Sequence, residues 1–290
     1  MKISVIIPYY QDYIRLNLLL EQLGKQNFDL HLFEVIVVNN DPSQNLDIEA
    51  QYFPFDLNII YESIPGSYSA RNAGISHAKG YILAFTDSDC LPDLDWLENA
   101  WQLFSEDFEK EIGVLTGPVP LFYKDPDKLT DSEVYEKYTG FTTESYAKQG
   151  HAITANWFSY KSVLEEFGGF NADLKSNGDS ELSDKISKKY KIVYFPVLEV
   201  MHPARFEIVQ LVNKYKRLLG GTFTRRFYKN PKAFRIHVIQ FIFKRYRFAL
   251  KKFFTISPTE SWAILKVCHA INLGAIKEYK SLIKGKQTKR

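Results

Sequence analysis

The chain has 290 residues, of which 45% are hydrophobic and 24% charged, so it can bury a substantial core and is not a disordered chain. Its formal net charge of +3 conceals a strong asymmetry. Residues 1–204 hold 16 Lys and Arg against 31 Asp and Glu, a net charge of −15, whereas residues 205–290 hold 21 against 3, a net charge of +18. We therefore expect two electrostatically opposite parts and an anionic partner for the second.

Cysteine usage and the start of the chain predict the compartment. Cys90 and Cys268 match no metal-binding or redox spacing, which argues against a disulfide framework. A strand pattern begins directly after Met1 and leaves no room for a signal peptide, and no segment has the roughly 18 uncharged apolar residues of a spanning helix. We expect a cytoplasmic protein that is soluble or lies peripherally on the cytoplasmic face of a membrane.

Short apolar runs alternate with amphipathic segments of helix length along the chain. This alternation is typical of an α/β fold in which helices flank a mostly parallel central sheet. The predicted elements are, in chain order, strand 3–7, helix 14–26, strand 33–38, strand 58–61, helix 69–78, strand 81–85, helix 180–189, strand 192–201 and helix 236–254.

Polar residues follow three of these strands at their carboxyl ends. In open α/β sheets, ligands bind in the crevice beyond those ends, so we expect these residues to share one site. They are Tyr9 and Tyr10 after the first strand, Asn39, Asn40 and Asp41 after the second, and Asp87, Ser88 and Asp89 after the strand at 81–85.

The Asp87-Ser88-Asp89 tripeptide is the most informative of these groups. Two carboxylates spaced i, i+2 on the turn after a buried strand suit a hard divalent cation that is held against a diphosphate. Asp and Ser are also ordinary turn formers, so the tripeptide alone would be weak support. For Asn40 and Asp41 taken alone, a simple turn is the commoner interpretation.

Arg71 stands near the start of the predicted helix at 69–78. A lone surface arginine usually forms an ordinary ion pair. Here Gly66 and Ser67 form a flexible lead-in, and the helix is expected to begin at the same crevice. This position suits an arginine that reaches a phosphate or orders the loop covering it.

Three stretches carry these residues: VIIPYYQ, EVIVVNND and GSYSARNAGISHAKGYILAFTDSDCLPDLDWLE. In order and spacing they resemble the nucleotide-sugar half of family 2 glycosyltransferases with the GT-A fold, and the resemblance extends over roughly residues 2–204. It implies that Pro8, Tyr10 and the Asn40–Asp41 pair hold the nucleobase. Where the family has two acidic residues, this chain has Asn39-Asn40-Asp41, which leaves the preferred base open because an amide both donates and accepts.

The same resemblance implies roles for the phosphate and metal groups. It places Arg71 near the nucleotide, Asp87 near the ribose or diphosphate, and Asp89 on the metal. Ser88, between the two carboxylates, is assigned to nucleotide-sugar binding. Mn²⁺ or Mg²⁺ bridging the phosphates would act as the Lewis acid that neutralises the leaving diphosphate. Such a cation needs few protein ligands because phosphates and water complete its coordination.

The second half of the predicted site lies within residues 150–202. The stretch GHAITANW resembles the segment that lines the donor sugar, which assigns Asn156 to nucleotide-sugar binding. The stretch GGFNADLKSNGDSELSDKI resembles one that ends in Glu-Asp before a helix; this chain has Gly178 in place of Glu and keeps Asp179. We assign Asp179 as the general base that accepts the acceptor hydroxyl's proton in an inverting transfer. Without the resemblance, helix N-capping would be the commoner role for this Asp.

His202 follows a predicted strand, in VLEVMHP. A lone histidine in such a place is more often a structural residue than a ligand. In the resembling enzymes a histidine here reaches the metal or the diphosphate, which makes His202 the second predicted metal ligand. Neutral imidazole suits Mn²⁺ better than Mg²⁺.

The segment at 236–254, IHVIQFIFKRYRFALKKFF, mixes aromatic, aliphatic and basic residues and contains no acid. One interpretation is a helix on an anionic membrane surface. The other is a helix that packs against the acidic first part and leaves its lysines in solvent. Nucleic acid is not expected, because no nucleic-acid-binding motif accompanies the charge.

We predict a GT-A-like catalytic domain over 1–204 and a basic, aromatic-rich helical extension over 205–290. Residues 1–117 form the nucleotide-sugar and metal half, and 118–204 the acceptor half. The predicted activity is metal-dependent, inverting transfer from a UDP-sugar to a hydroxyl of a glycan or lipid-linked oligosaccharide. One alternative is a polyprenyl-phosphate glycosyltransferase, which needs no strong base. The other is a non-catalytic nucleotide-sugar-binding or assembly subunit.

Overall fold

The computed structural model describes residues 1–41, 43, 46 and 48–286. The chain divides into two compact units. The first consists of Met1–Pro120, Phe141–Asp173 and Gly178–His202, and the second of Leu121–Gly140, Leu174–Asn177 and Pro203–Arg290. The functional boundary after residue 204 stays a prediction, and residues 287–290 of the predicted extension lie outside the described residues.

Strands and helices alternate along the first half of the chain, and the last part is helical. The strands are β1 (Ile3–Tyr9), β2 (Phe33–Asn39), β3 (Asp56–Tyr61), β4 (Ile82–Phe85), β5 (Leu91–Pro92), β6 (Ile112–Thr116), β7 (Leu121–Phe122), β8 (Trp157–Tyr160), β9 (Lys191–Tyr194) and β10 (Val200–Pro203). The α-helices are α1 (Tyr13–Leu23), α2 (Ser67–His77), α3 (Trp96–Glu106), α4 (Asp131–Lys137), α5 (Thr143–Ala147), α6 (Lys161–Glu166), α7 (Gly178–Ile186), α8 (Ile208–Thr222), α9 (Pro231–Lys252) and α10 (Pro258–Leu282). A 3₁₀ turn covers Ala50–Tyr52, and a π-helical turn covers Phe223–Phe227.

The first unit contains a seven-stranded sheet with the order β3-β2-β1-β4-β8-β6-β9. Neighbouring strands are parallel except where β8 pairs antiparallel with β4 and β6. Every residue of β2 and β4 is buried, as expected for strands covered by helices on both faces. The predicted α/β class with a mostly parallel central sheet is therefore confirmed.

The carboxyl ends of the central strands meet at one edge of the sheet. Tyr9 of β1 pairs with Asn39 of β2, and Ile6 of β1 pairs with Phe85 of β4. The segments that follow these strands therefore begin close together, because parallel pairing in register brings equivalent ends to the same edge.

The predicted strand at 192–201 is wrong as a single element. The structure has two short strands, β9 and β10, separated by a turn in which Leu198 N donates to Phe195 O at 3.1 Å. Pro196 lies in this turn, and a proline cannot donate a ladder hydrogen bond. β9 joins the large sheet, whereas β10 pairs antiparallel with β5.

The second unit is built mainly from α4, α8, α9 and α10. The last three helices confirm the predicted helical character of the C-terminal part. Two apolar clusters hold these helices together. The first contains Val134, Tyr135, Leu211, Ala249, Ala263, Ile264, Val267, Cys268 and Ile271, and the second Leu219, Phe223, Phe234, Val238, Ala275 and Leu282. Among the described residues, no helix combines the length and the apolarity needed to cross a bilayer.

Candidate active site

The Asp87-Ser88-Asp89 segment forms a tight turn at the end of β4. Cys90 N donates to Asp87 O at 3.0 Å, which closes a four-residue turn. The three polar residues are partly buried, and Cys90 is fully buried. Two carboxylates therefore stand on a rigid turn at the carboxyl edge of the sheet.

His202 reaches this turn through the pairing of β5 with β10. Met201 pairs with Leu91, so the antiparallel register sets His202 beside Cys90. The backbone of His202 is fixed by its N–H, which donates to Pro120 O at 2.9 Å, and its ring lies 5.1 Å from that of Phe141. The histidine predicted from the sequence is thus a buried residue of β10 that lies against the acidic turn.

These residues form a cluster with the composition of a cation site. Ligand atoms of Asp87, Asp89, Cys90 and His202 all lie within 4.8 Å of one another. Carboxylate oxygens and an imidazole nitrogen suit Mn²⁺, and carboxylates suit Mg²⁺. The donor set therefore fits the predicted divalent cation.

Cys90 belongs to the cluster by position but suits a softer metal. Burial raises the pKa of its thiol well above the ordinary value, and the Asp87 and Asp89 carboxylates raise it further. Thiolates favour zinc, copper and iron–sulfur clusters over hard cations. The donors that fit Mn²⁺ or Mg²⁺ are consequently the two carboxylates and His202.

Asp89 also has a basic neighbour that sequence reasoning missed. Arg15 Nη1 lies 3.7 Å from Asp89 Oδ2 and 3.1 Å from Asp12 Oδ2. Arg15 is in α1, directly after the segment that follows β1. In the sequence, the sign of this contact was a basic residue in the first turn of the helix that follows β1, since that turn begins at the same edge of the sheet.

Arg71 is held on α2 with its guanidinium against the acidic turn. The side chain is 3% exposed, and its Nη2 donates to Asp87 Oδ1 at 2.5 Å. A second, longer hydrogen bond joins Nη1 to Ser67 O at 3.4 Å. Its Nε is buried and has no hydrogen-bond partner among the described residues. The structure thus brings Arg71 and Asp87 together and leaves the Nε–H of Arg71 unused.

Tyr68 links α2 to the start of α7, a role that sequence reasoning missed. Its hydroxyl accepts a hydrogen bond from Gly178 N at 2.9 Å and donates to Asp179 Oδ1 at 3.4 Å. The sequence feature that could have indicated this role is the position of Tyr68 three residues before Arg71, because that spacing puts both side chains on one face of the helix. The Arg71 guanidinium lies 5.7 Å from the centroid of the Tyr68 ring.

Asp179 is the second residue of α7 and is partly buried. Burial raises the pKa of its carboxyl group and Asp87 adds to this effect, whereas the Ser180 amide and Arg71 act in the opposite direction. The Ser180 N–H donates to Asp179 Oδ1 at 2.9 Å. Asp179 therefore lies inside the first helical turn, not at the N-cap, and shares an electrostatic environment with Arg71 and Asp87.

Asn40 holds the segment that precedes α2. Its Nδ2 donates to Glu62 O at 2.7 Å and to Ile64 O at 2.8 Å, and its Oδ1 accepts from Gly66 N at 2.7 Å. Gly66 has a φ of 141°, a conformation that glycine adopts readily. The amide of Asn40 is thus used by the backbone. A carboxylate here could not donate to the two carbonyl oxygens.

Asp41 is buried and held as a carboxylate by its neighbours. The Ser43 hydroxyl, the Ser43 amide and the Gln11 side chain hold the pKa of Asp41 below its ordinary value. Gln11 Nε2 donates to Asp41 Oδ2 at 2.7 Å. Of the other predicted nucleobase residues, Pro8 lies within β1 and is partly buried, and Tyr10 is exposed directly after that strand.

Asn156 is fully buried in the core of the first unit. Its Oδ1 accepts from Trp96 Nε1 at 3.0 Å, and its Nδ2 donates to Leu198 O at 2.6 Å and to Pro118 O at 3.2 Å. The side chain is 0% exposed, so a donor sugar could contact this amide only if the surrounding residues moved. We therefore leave Asn156 out of the proposed site.

Comparison with known proteins decides the family. A sequence model of the family described as "Glycosyl transferase family 2" matches residues 4–166. This chain belongs to glycosyl transferase family 2. The predicted family and the predicted enzyme class, glycosyltransferase, are confirmed.

Curated relatives of this family 2 glycosyltransferase come from different organisms. It is 32% identical over 209 residues to glycosyltransferase AglE of Haloferax volcanii, a match that covers 70% of this chain and 67% of AglE. It is 31% identical over 198 residues to the poly(ribitol-phosphate) beta-N-acetylglucosaminyltransferase TarS of Staphylococcus aureus, covering 64% of this chain and 35% of TarS. The match to the minor teichoic acid biosynthesis protein GgaB of Bacillus subtilis covers only 22% of that protein.

Solved structures confirm the GT-A-like fold. The mannosyltransferase PcManGT of Pyrobaculum calidifontis, in complex with GDP-Man and Mn²⁺, aligns with a TM-score of 0.59 at 18% identity, over 98% of this chain and 74% of that one. Residues 1–349 of TarS, in complex with UDP-GlcNAc, align with a TM-score of 0.54 at 17% identity, over 99% and 93% of the two chains.

Proposed function

We propose that this chain transfers a sugar from a UDP-sugar to a hydroxyl group of a glycan or lipid-linked oligosaccharide, with inversion and with a divalent cation bound. The observation that carries the proposal is the convergence of Asp87, Asp89 and His202, whose ligand atoms lie within 4.8 Å of one another. Asp179, the candidate base, belongs to the same environment, because the charges of Arg71 and Asp87 act on the pKa of its carboxyl group.

The unused donor of Arg71 supports a phosphate-binding role. A buried arginine whose Nε lacks a partner retains hydrogen-bonding capacity that an anionic ligand can satisfy. The two solved neighbours named above contain UDP-GlcNAc and GDP-Man, both nucleoside-diphosphate sugars. We propose UDP as the nucleotide, with Tyr10 and Asp41 at the base and GDP as the competing outcome of the test below.

Asp87, Asp89 and His202 would hold the divalent cation. When bound, this cation supplies a Lewis acid that neutralises the negative charge developing on the leaving diphosphate. Arg71 fixes the orientation of Asp87 through their hydrogen bond, and the β5–β10 pairing fixes His202. These residues are therefore positioned before any ligand binds, which limits the reorganisation needed on binding.

Asp179 would act as the general base. The hydroxyl oxygen of the acceptor attacks the anomeric carbon, its proton moves to the Asp179 carboxylate, and the bond from that carbon to the phosphate oxygen breaks. The electron pair of the broken bond leaves on the nucleoside diphosphate. Tyr68 and the Ser180 amide orient the carboxylate through their hydrogen bonds.

A nucleotide screen tests the donor and the metal together. Calorimetry and thermal shift would compare UDP, GDP, CDP and dTDP, each with and without Mn²⁺, on the wild type and on Asp89→Ala. We expect the wild type to bind UDP best of the four nucleotides, and to bind it only with Mn²⁺. Asp89→Ala should lose this Mn²⁺-dependent binding of UDP. Asp184→Ala is the matched control, because Asp184 is an exposed carboxylate of α7 that pairs with Lys188 at 3.2 Å. The absence of nucleotide binding under all conditions would contradict the proposal.

Turnover of Asp179→Asn separates the hydroxyl acceptor from its alternatives. A hydroxyl acceptor predicts a loss of about two to four orders of magnitude in turnover. A polyprenyl-phosphate acceptor is already ionised, so in that case Asp179→Asn would keep much of its activity. A non-catalytic subunit would bind nucleotide with metal but release no UDP from any UDP-sugar. NMR of the product anomer would show whether the configuration inverts.

A further inference from the structure

Helix α9 in the second unit has one face that packs against its neighbours. Phe234, Val238 and Ala249 on this face are buried. The guanidinium of Arg245 also points inward and lies 4.0 Å from the centroid of the Tyr215 ring of α8. Packing inside the helical unit therefore uses one side of α9.

The opposite side of α9 carries large apolar side chains in solvent. Ile236, Ile239, Phe243 and Leu250 are 57%, 56%, 66% and 59% exposed. Their spacing of three, four and seven residues puts them in one stripe along the helix. Phe254, which follows the helix and is 89% exposed, extends the series. We call these five residues the α9 stripe.

Basic residues border the α9 stripe on both sides. At 100° per residue, Arg235 falls on one side of the stripe, and Arg247, Lys251 and Lys244 fall on the other. All four are exposed, and α9 contains no Asp or Glu. An apolar stripe with basic borders is typical of helices that lie in the interface of an anionic bilayer.

Aromatic residues at the carboxyl end of α9 add a second interfacial feature. Trp262 of α10 is 57% exposed, and its ring lies 5.3 Å from that of Phe253. Tryptophan is enriched where membrane and water meet, because its ring is apolar and its N–H can donate to headgroups. An exposed Trp beside the end of the stripe therefore suits the same surface.

We propose that the α9 stripe and its basic borders form a docking surface for an anionic lipid bilayer. The apolar side chains would enter the boundary between headgroups and acyl chains, and the Lys and Arg side chains would lie on the lipid phosphates. A second copy of the chain fits this surface poorly, because joining two such faces would bring basic borders together. The inference does not depend on the proposed donor or acceptor, since lipid binding is measured without nucleotide.

The test uses the full chain and sedimentable vesicles, either of phosphatidylcholine alone or of phosphatidylcholine and phosphatidylglycerol at about 3:1. We expect binding to the anionic vesicles that weakens as salt rises. Two triple variants separate the two contributions: Ile239→Ser/Phe243→Ser/Leu250→Ser removes apolar contact, and Lys244→Gln/Arg247→Gln/Lys251→Gln removes charge. At low salt each basic residue is worth about fivefold in binding, so the charge variant should lose on the order of 100-fold.

Matched controls alter exposed residues of the first unit. Leu18→Ser/Tyr52→Ser/Phe108→Ser removes three exposed apolar side chains, and Lys148→Gln/Lys185→Gln/Lys188→Gln removes three exposed charges. These controls should bind vesicles like the wild type. Because all substituted side chains are exposed, the melting temperature should change little and report any misfolding.

Tryptophan fluorescence gives a local readout at Trp262. We expect the wild-type emission to shift to shorter wavelength on anionic vesicles, and Trp262→Phe to abolish that shift. The proposal is overturned if the wild type ignores anionic vesicles, or if the stripe variant binds them as tightly as the apolar control. It is also overturned if the wild type is a dimer that the stripe variant splits, with vesicle binding unchanged.

Discussion

The ring of Tyr68 fills the space into which a side chain at position 178 would point. A Cβ atom on Gly178 would lie 2.8 Å from Tyr68 Cε2 and 2.9 Å from Cζ. The hydroxyl of the same tyrosine accepts the Gly178 N–H and contacts Asp179. Glycine at position 178, where the family resemblance leads us to expect Glu, therefore leaves the space that the Tyr68 ring occupies.

This packing predicts that Gly178→Glu displaces Tyr68 and misplaces the Asp179 carboxylate. We expect a lower melting temperature and lower kcat, since Tyr68 is buried and cannot move freely. The double variant Gly178→Glu/Tyr68→Ala should recover part of the lost stability because the ring is gone. If Gly178→Glu is as stable and active as the wild type, the close contact does not explain the glycine.

Asp179→Asn should change activity and stability in opposite directions. Burial raises the pKa of the Asp179 carboxyl group, so protonation of this group favours the fold. That stability is fully present below the ordinary pKa and is lost as pH rises through the raised folded-state pKa. Near neutral pH the Asn variant, which carries no charge, should therefore melt at a higher temperature than the wild type while losing turnover.

Melting curves recorded without metal or nucleotide over pH 3–8 would check this prediction. The advantage of Asp179→Asn should shrink toward low pH, and Asp184→Asn, on the same helix, should show no such trend. The wild-type activity should fall as pH falls through the raised pKa. If the wild type and Asp179→Asn were equally stable at all pH values, the ionised Asp179 carboxylate would not destabilise the fold, which would contradict the prediction.

Asn40→Asp should destabilise the protein strongly, although the two side chains have the same shape. The carboxylate would face the carbonyl oxygens of Glu62 and Ile64, to which Asn40 now donates. An unsatisfied buried polar group costs about 1–3 kcal/mol, and a charged one more. Chemical denaturation should therefore rank Asn40→Asp below Asn40→Ala, and UDP affinity should fall in both. Normal stability of Asn40→Asp would show that this amide does not hold the segment before α2.

Cys90 and His202 should respond differently to substitution. His202→Ala should weaken Mn²⁺-dependent nucleotide binding because it removes an imidazole that suits Mn²⁺. Cys90→Ser should keep that binding, since a thiol contributes little to a hard cation. Calorimetry with Mn²⁺ and UDP measures both effects. A loss of metal dependence in Cys90→Ser would indicate a softer metal at the cluster.

Glu136→Gln should strongly destabilise the helical second unit. Glu136 is almost fully buried and pairs with Arg205 at 2.8 Å and Lys214 at 3.1 Å. Although burial would raise the pKa of Glu136, Lys214, Arg205 and the Arg205 amide hold it below the ordinary value. Removing one partner of a buried ion pair costs about 3–5 kcal/mol, whereas the exposed Glu144 pair with Lys148 is worth about 1 kcal/mol or less.

Denaturation of Glu136→Gln and Glu144→Gln side by side would measure this difference. The lowered pKa adds a pH signature: the stability from Glu136 is present above its ordinary pKa and is lost as pH falls through the lower folded-state pKa. Glu136→Gln should lack that acid-induced loss. Equal destabilisation by both variants would contradict the prediction.

Local patterns in the sequence determined the element types and part of the site. Apolar runs predicted β1, β2 and β4 because buried strands need apolar residues on both faces. The turn at 87–89 was predictable because Asp and Ser favour turns and a strand delivers them. The absence of acids in α9 likewise indicated an anionic partner.

Only the tertiary structure decided which distant residues meet. The β5–β10 register brings His202 to the acidic turn, and close packing of Tyr68 on Gly178 sets the position of Asp179. Hydrogen bonds to residues 62–66 assign Asn40 to the scaffold, and helix packing decides which face of α9 stays exposed. Propensity and periodicity act over a few neighbouring residues, whereas strand register and side-chain packing depend on segments that come together only in the folded chain.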